Sequence, residues 1–204
     1  MSENEDSKII TASNLEDDEF VLEQKVLSLG KEYFIKDSKR KKVGYCLKKP
    51  MKIKKEFSVF EDENKEKELF RVKQKNFLDM SGLYVVTDPE SNIIGYLERN
   101  WLKGAILDEW IIRDPEKKKI GKIVDETFVR RALRFKGLKK IPYRYNIYQD
   151  ESKIGVSKKR LSILRNMYKL QIRDNSSNSI DTRLLLAMTI LLDEVEEKFR
   201  KIQR

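Results

Sequence analysis

The sequence predicts a mainly β (α+β) fold: a closed antiparallel β-barrel of about twelve strands, built from consecutive hairpins around a central apolar C-terminal helix. Three observations carry this expectation. A strand-then-acid pattern recurs six times along the chain. Most recurrences return through an aliphatic–glycine pair. A short stretch near the end, Leu184 to Leu192, apolar but for Thr189, needs a core to enter.

The elements follow in order. Residues 1–19 carry seven acids and one lysine with no apolar period, so they are expected to form a disordered acidic tail. Residues 20–204 are expected to form a single domain. From Phe20 the pattern changes. The repeat places an apolar or aromatic residue, then an aliphatic two positions on, then an acid and a turn. It occurs as "YFIKD" (Tyr33, Ile35, Asp37), "FSVFED" (Phe57, Val59, Glu61) and "YVVTD" (Tyr84, Val86, Asp88). It recurs as "WIIRD" (Trp110, Ile112, Asp114), "YNIYQD" (Tyr145, Ile147, Asp150) and "LQIRD" (Leu170, Ile172, Asp174). Alternation with a period of two is the signature of a strand with one buried face.

After the acid comes a polar turn, then Val43-Gly44, Ile94-Gly95, Ile120-Gly121 or Ile154-Gly155. Asp and Pro in "DPESN" and "DPEKK" are turn starters. The second unit turns at "EDENKEKE" and returns as "LFRVKQK" without the glycine. Most starts are 24 to 27 residues apart; Trp110 to Tyr145 spans 35 and leaves room for an insertion. That insertion, "DETFVRRALRFKG", has Asp125 as a cap and Gly137 as a stop, and predicts one short amphipathic helix near 126–136.

A run of hairpins must stack or close. A propeller needs four strands per blade and a period near 40 to 50 residues, whereas the observed period is one hairpin. A closed barrel also removes sheet edges. Beyond about eight strands a barrel is wider than its own side chains fill. The sixth start does not return as a strand but leads into Leu184–Leu192, where Thr189 is the single polar residue. Nine helical residues rise about 14 Å, which suits a lumen and falls short of the ~20 residues a membrane span needs. A helix is therefore expected over about 180–200, capped by Ser179 or Asp181, as a central plug.

Composition narrows function. The chain has 204 residues, 39% hydrophobic and 38% charged, with 44 Lys plus Arg against 34 Asp plus Glu, a net charge of +10. This balance favours acidic partners. There is no histidine and one cysteine, Cys46. That excludes a Ser-His-Asp arrangement, a zinc cluster and an internal disulfide, and fits a reduced intracellular compartment. Cys46 is expected to pack within a strand. No phosphate-binding loop, dinucleotide fingerprint or nucleophile elbow appears; the recurring aspartates are expected to serve turns, and no enzymatic activity, cofactor or metal is expected. "DPESNIIGYLE" and "DNSSNSIDTR" hold oxygen ligands, but neither has the spacing of a calcium loop.

The hairpins with aspartate turns followed by a C-terminal apolar helix resemble the tubby C-terminal-like superfamily, which includes tubby proteins, phospholipid scramblases and LURP-one-related proteins. "FVLEQKVLSLGKEYFIKDSKRKKVGYCLKKPMKIKKEFSVFEDE" and "LLLAMTILLDE" are most similar to the LURP-one-related branch. The resemblance covers roughly Phe20 to Phe199 and implies a twelve-stranded barrel around a hydrophobic helix. Among its members, tubby domains imply phosphoinositide binding and scramblases imply lipid movement. This chain departs from the scramblase pattern in having no cysteine cluster and no long proline-rich N-terminal segment.

Two basic clusters are candidate lipid-binding sites. Residues 39–55 hold Lys39, Arg40, Lys41, Lys42, Lys48, Lys49, Lys52, Lys54 and Lys55 and no acid; in a hairpin the first four sit at one turn and the rest at the opposite end. Polybasic segments near an anionic bilayer gain about 1 kcal/mol per Lys or Arg. The inserted helix carries Arg130, Arg131, Arg134 and Lys136, followed by Lys139 and Lys140, and Arg grips phosphate with two parallel hydrogen bonds. A third, weaker group is Lys158, Lys159 and Arg160 with Arg165. At the end of the last helix, Val195, Phe199 and Ile202 recur on one stripe among charged residues, a candidate partner surface.

The expected function is therefore a non-enzymatic, cytoplasmic barrel that binds anionic phospholipid head groups, phosphoinositide-like, peripherally at the inner membrane surface. A protein-interaction scaffold using the helix end and the acidic tail is the alternative, followed by scramblase-like lipid handling. Nucleic-acid binding ranks last, because the aromatics fall on the core-facing period of the strands.

Overall fold

Twelve strands form the wall of the structure, and several of them, such as Glu56–Phe60 and Leu83–Thr87, alternate buried and less buried positions. The computed structural model describes residues 15–25, 31–48, 56–75, 82–100, 109–125, 143–160, 166–173 and 180–202, with side chains of the last helix described to residue 193. The strands are β1 (Glu19–Gln24), β2 (Lys31–Lys36), β3 (Lys42–Lys48), β4 (Glu56–Phe60), β5 (Glu68–Gln74) and β6 (Leu83–Thr87). They continue as β7 (Ile93–Arg99), β8 (Glu109–Arg113), β9 (Lys119–Asp125), β10 (Arg144–Gln149), β11 (Ser152–Arg160) and β12 (Met167–Ile172). Each pairs with its neighbours in sequence, and β12 pairs with β1 to close the barrel.

Closure explains why the sixth hairpin start has no return strand after it. Its second partner is β1, at the other end of the chain, with Phe20 opposite Leu170 and Leu22 opposite Tyr168. The expected tail boundary at residue 19 is corrected accordingly. Glu19 already belongs to β1, and the four residues before it are held: Leu15 is buried in the core, and Ile172 N–H donates to the Asp18 carbonyl at 2.7 Å. Acid-rich composition at 16–19 hid a segment that the closing strand orders. Residues 1–14 and the helix expected near 126–136 lie outside the described residues.

The repeat has a register meaning. In four hairpins its aliphatic residue sits directly across from the glycine: Ile35 from Gly44, Val86 from Gly95, Ile112 from Gly121 and Ile147 from Gly155. In the hairpin without glycine, Val59 faces Phe70, which is fully buried. Two glycines admit the helix. A Cβ on Gly95 would clash with the Arg113 carbonyl and meet Leu184 Cδ1 at 3.0 Å; one on Gly121 would lie 2.6 Å from Ile180 Cδ1.

The turns explain the aspartates. Asp37, Asp88 and Asp114 each accept a backbone N–H four residues on through Oδ1, from Lys41 at 2.8 Å, Asn92 at 2.7 Å and Lys118 at 2.8 Å. Just before each of those acceptor-bound residues the chain turns through positive φ, at Arg40, Ser91 and Lys117. Each of the five hairpins also shifts register by a bulge on entering its turn, which increases local twist.

The helix α1 (Thr182–Ile202) fills the lumen. Asp181 is its cap, accepting the Arg183 N–H through Oδ1 at 2.8 Å. From Leu184 to Asp193 no residue is more than 1% exposed. Its neighbours come from around the whole ring: Gly95 on β7, Ser157 on β11, Tyr168 on β12 and Tyr33 on β2. Thr189, the polar exception, donates to the Leu185 carbonyl at 2.9 Å and lies 3.4 Å from the Ser157 hydroxyl, so its hydroxyl stays satisfied in the core. Cys46 is fully buried in β3, and burial pushes its thiol up to about 12, so it is unreactive near neutral pH.

The plug is expected to carry the fold. Leu186→Asp or Met188→Asp would bury a carboxylate with no partner, at a cost that exceeds ordinary domain stability. The expected result is loss of the cooperative thermal transition and of near-ultraviolet circular dichroism, with no folded soluble form remaining.

Candidate functional site at the two ends of the barrel

Strand direction sorts every connection to one of two ends. The tight turns at 37–41, 61–67, 88–92, 114–118 and 150–151 lie at one, the turn end, where α1 enters. The connections 25–30, 49–55, 75–82, 100–108, 126–143 and 161–166 join strands at the other, the loop end, where α1 leaves.

The first predicted cluster divides between these ends. Lys39, Arg40 and Lys41 belong to the β2–β3 turn, Lys42 opens β3, and all four are exposed. Lys48 closes β3 at the loop end and is half-buried. The seven residues of β3 separate the two groups, about 20 Å at 3.3 Å per residue. At the turn end the cations meet acids. Arg40 lies 4.0 Å from Glu23, and Lys42 pairs with Glu63 at 3.2 Å while its ammonium sits 4.1 Å from the centre of the Phe34 ring. Other turns add Asp88, Glu90, Asp114, Glu116, Asp150 and Glu151, all at least partly exposed. Both Asp88 oxygens are engaged by Asn92, so the turn chemistry that the aspartates serve also consumes their ligand atoms.

Lys49, Lys52, Lys54 and Lys55 lie outside the described residues, as do Arg130, Arg131, Arg134, Lys136, Lys139, Lys140 and Arg165. The strands flanking both groups, β3–β4 and β9–β10, end at the loop end. For Val195, Phe199 and Ile202 the helical backbone is described and the side chains are not.

The loop end contains a group that sequence reading missed. Asp193, fully buried on α1, is held by five side chains from the barrel wall. Tyr168 donates its hydroxyl to Oδ1 at 2.7 Å, and Tyr33 donates to Oδ2. Lys31 Nζ reaches Oδ2 at 3.0 Å, Asn166 Nδ2 reaches Oδ1 at 3.2 Å, and Lys159 Nζ lies 3.7 Å from Oδ1. Lys159 also donates to the Tyr168 hydroxyl at 2.8 Å. Lys159, part of the third basic group, is therefore only 10% exposed and committed to the interior. Burial alone would push Asp193 up, but the Lys31 ammonium, the two phenols and Lys159 outweigh it and hold the carboxyl below the ordinary aspartate range. The clue available in sequence was an acid immediately after the run Leu184–Leu192, apolar but for Thr189, where a plug emerges from its barrel.

These features define a class: a closed twelve-stranded barrel filled by its own C-terminal helix, with that helix pinned where it exits. The family model described as LURP-one-related matches residues 43–193, well over half of the chain, and this chain belongs to that family. The matched span runs from β3 to Asp193, so it ends on the pinning carboxylate. No curated protein and no solved structure matches the chain.

Removing the charge that pins the helix should loosen the whole barrel. Asp193→Asn leaves Lys31 and Lys159 facing a neutral amide and is expected to cost about 3 kcal/mol, read as a lower urea midpoint. The pH dependence follows from the lowered carboxyl. Its stabilisation is fully present above the unfolded-state value, about pH 4, and disappears as pH falls through the lower folded-state value. Below pH ~4 the wild type should therefore lose stability more steeply than Asp193→Asn.

Proposed function

We propose that this LURP-one-related barrel is a non-enzymatic module that docks on anionic phospholipid head groups at a membrane surface, and that its loop end is the docking side. The observation that carries the reading is the partition of charge between the connections. Segments 49–55 and 126–142 together hold ten basic residues against one acid, Glu126, and the strands that flank them finish at the same end of the barrel. Their sequences interleave apolar residues, Met51, Ile53, Phe128, Leu133 and Phe135 among them. Basic and apolar residues together are what an anionic interface selects, through charge attraction and burial of apolar area. The turn end supports the assignment by contrast, since its lysines and arginines alternate with acids. Among the described residues no helix is long and apolar enough to cross a membrane, so docking by surface contact is the mode the reading adopts.

The test is co-sedimentation with vesicles of neutral lipid alone and of neutral lipid plus phosphoinositide. Preferential pelleting with the second is expected. Lys49→Gln, Lys52→Gln, Lys54→Gln and Lys55→Gln together should lower partition about a hundredfold or more, at about 1 kcal/mol per residue, with the thermal midpoint unchanged. Equal pelleting with both vesicle types would overturn the proposal.

A second reading has one specific support: α1 continues to Ile202, nine residues past the pinned Asp193. A helix end projecting from the barrel suits a partner protein. Truncation after Glu194 should then remove the partners recovered by full-length protein in a pull-down; identical recovery by both would eliminate this reading.

A further inference from the structure

The first turn is where the N-terminal segment joins the barrel. Leu15 is 4% exposed within the core. Asp17 Oδ2 accepts both the backbone N–H of Ser38, at 3.1 Å, and its hydroxyl, at 2.7 Å, while Oδ1 accepts the Glu19 N–H at 3.1 Å. Slight burial pushes the Asp17 carboxyl up, but the hydrogen bonds from Ser38 outweigh it and keep it below its ordinary range. These contacts hold Asp17, two residues after the first described residue, beside Ser38 and so near Lys39, Arg40 and Lys41.

The cations around this point are unequally matched. Lys36 pairs with Glu23 at 2.8 Å, Arg40 approaches the same carboxylate at 4.0 Å, and Lys42 pairs with Glu63. Lys39 and Lys41 are exposed and form no ion pair with another described residue. The departing segment carries Glu3, Glu5 and Asp6 against Lys8. At about 3.3 Å per extended residue, even its most distant acid is long enough to return to the turn. Tethering also sets an effective concentration of about millimolar or higher for a short flexible linker, which makes weak exposed pairs populate.

We propose that the turn at Lys39–Lys41 is a docking site for this chain's own acidic N-terminal segment, residues 1–14, which lies against it through Glu3, Glu5 and Asp6. The contact neutralises Lys39 and Lys41, the two turn lysines without an ion pair to a described residue, and it withholds the turn end from anionic surfaces. The lipid-facing charge is then confined to the opposite end. The inference rests on the Asp17–Ser38 anchor and on charge, and stands whether or not the barrel binds lipid.

The experiment is zero-length carbodiimide cross-linking of the full chain at low micromolar concentration, read by peptide mass spectrometry. A one-to-one mixture of unlabelled and nitrogen-15 protein distinguishes links within one chain from links between two. The expected result is amide links from Glu3, Glu5 or Asp6 to Lys39 or Lys41 within one chain, several-fold more abundant than links to Lys117 or Lys118. Those two lysines are exposed on the β8–β9 turn, across the barrel ring from β1. Half-molar salt should reduce the Lys39 and Lys41 links several-fold. Equal linking to Lys117 and Lys118 would overturn the proposal, as would links that form only between labelled and unlabelled copies, which would make a second copy the occupant.

Discussion

A twelve-stranded barrel encloses more volume than its wall residues fill, and the rest of this structure depends on how that lumen is occupied. The chain supplies its own filler, a helix buried on every side from Leu184 to Asp193. The hydrophobic effect drives the helix inward, but an apolar cylinder in an apolar tube has no inherent register. Polar contacts set it. Asp181 and Arg183 stay partly exposed at the entry, and Asp193 meets two phenols, two ammonium groups and an amide at the exit. Thr189 against Ser157 marks the middle. The wall is cut to match, with Gly95 and Gly121 opening space where Leu184 and Ile180 arrive.

This arrangement constrains where function can reside. Among the described residues, the interior is packed by the plug. The closed sheet has no edge to add a strand. What varies freely is at the ends. At the turn end, the backbone requirement for an acid at each turn start places carboxylates among the cations, as with Asp37 beside Lys41. At the loop end, no such requirement applies, and segments 49–55 and 126–142 are free to be basic and apolar together. The polarity of the barrel thus follows from the chemistry of its turns.

Much of the fold was legible in the chain because a hairpin is local. Tyr33, Ile35 and Asp37 write their strand and turn in five residues, and the glycine across from Ile35 is within the same hairpin. The plug was legible because an apolar run without a polar face leaves a single physical destination. The strand at Glu19–Gln24 was less so. Its partner Met167–Ile172 lies at the far end of the chain, and the acids before it resemble a solvated tail. The Asp193 network was invisible for the same reason: Lys31, Tyr33, Lys159 and Tyr168 come from three strands and Asn166 from just before the last of them, and no spacing in sequence links them.

By itself the sequence determined the hairpins, their turns, the barrel class and the helix that fills it, since each depends on residues a few positions apart. Only the tertiary structure decided what closes the ring, which carboxylate pins the plug and which basic residue is drawn inside. Lys159 counts as surface charge in the sequence and is interior in the structure, because it donates to the Tyr168 hydroxyl and lies beside the Asp193 carboxylate that the helix carries in. Charge along a chain is fixed by composition; charge on a surface is fixed by where the strands turn.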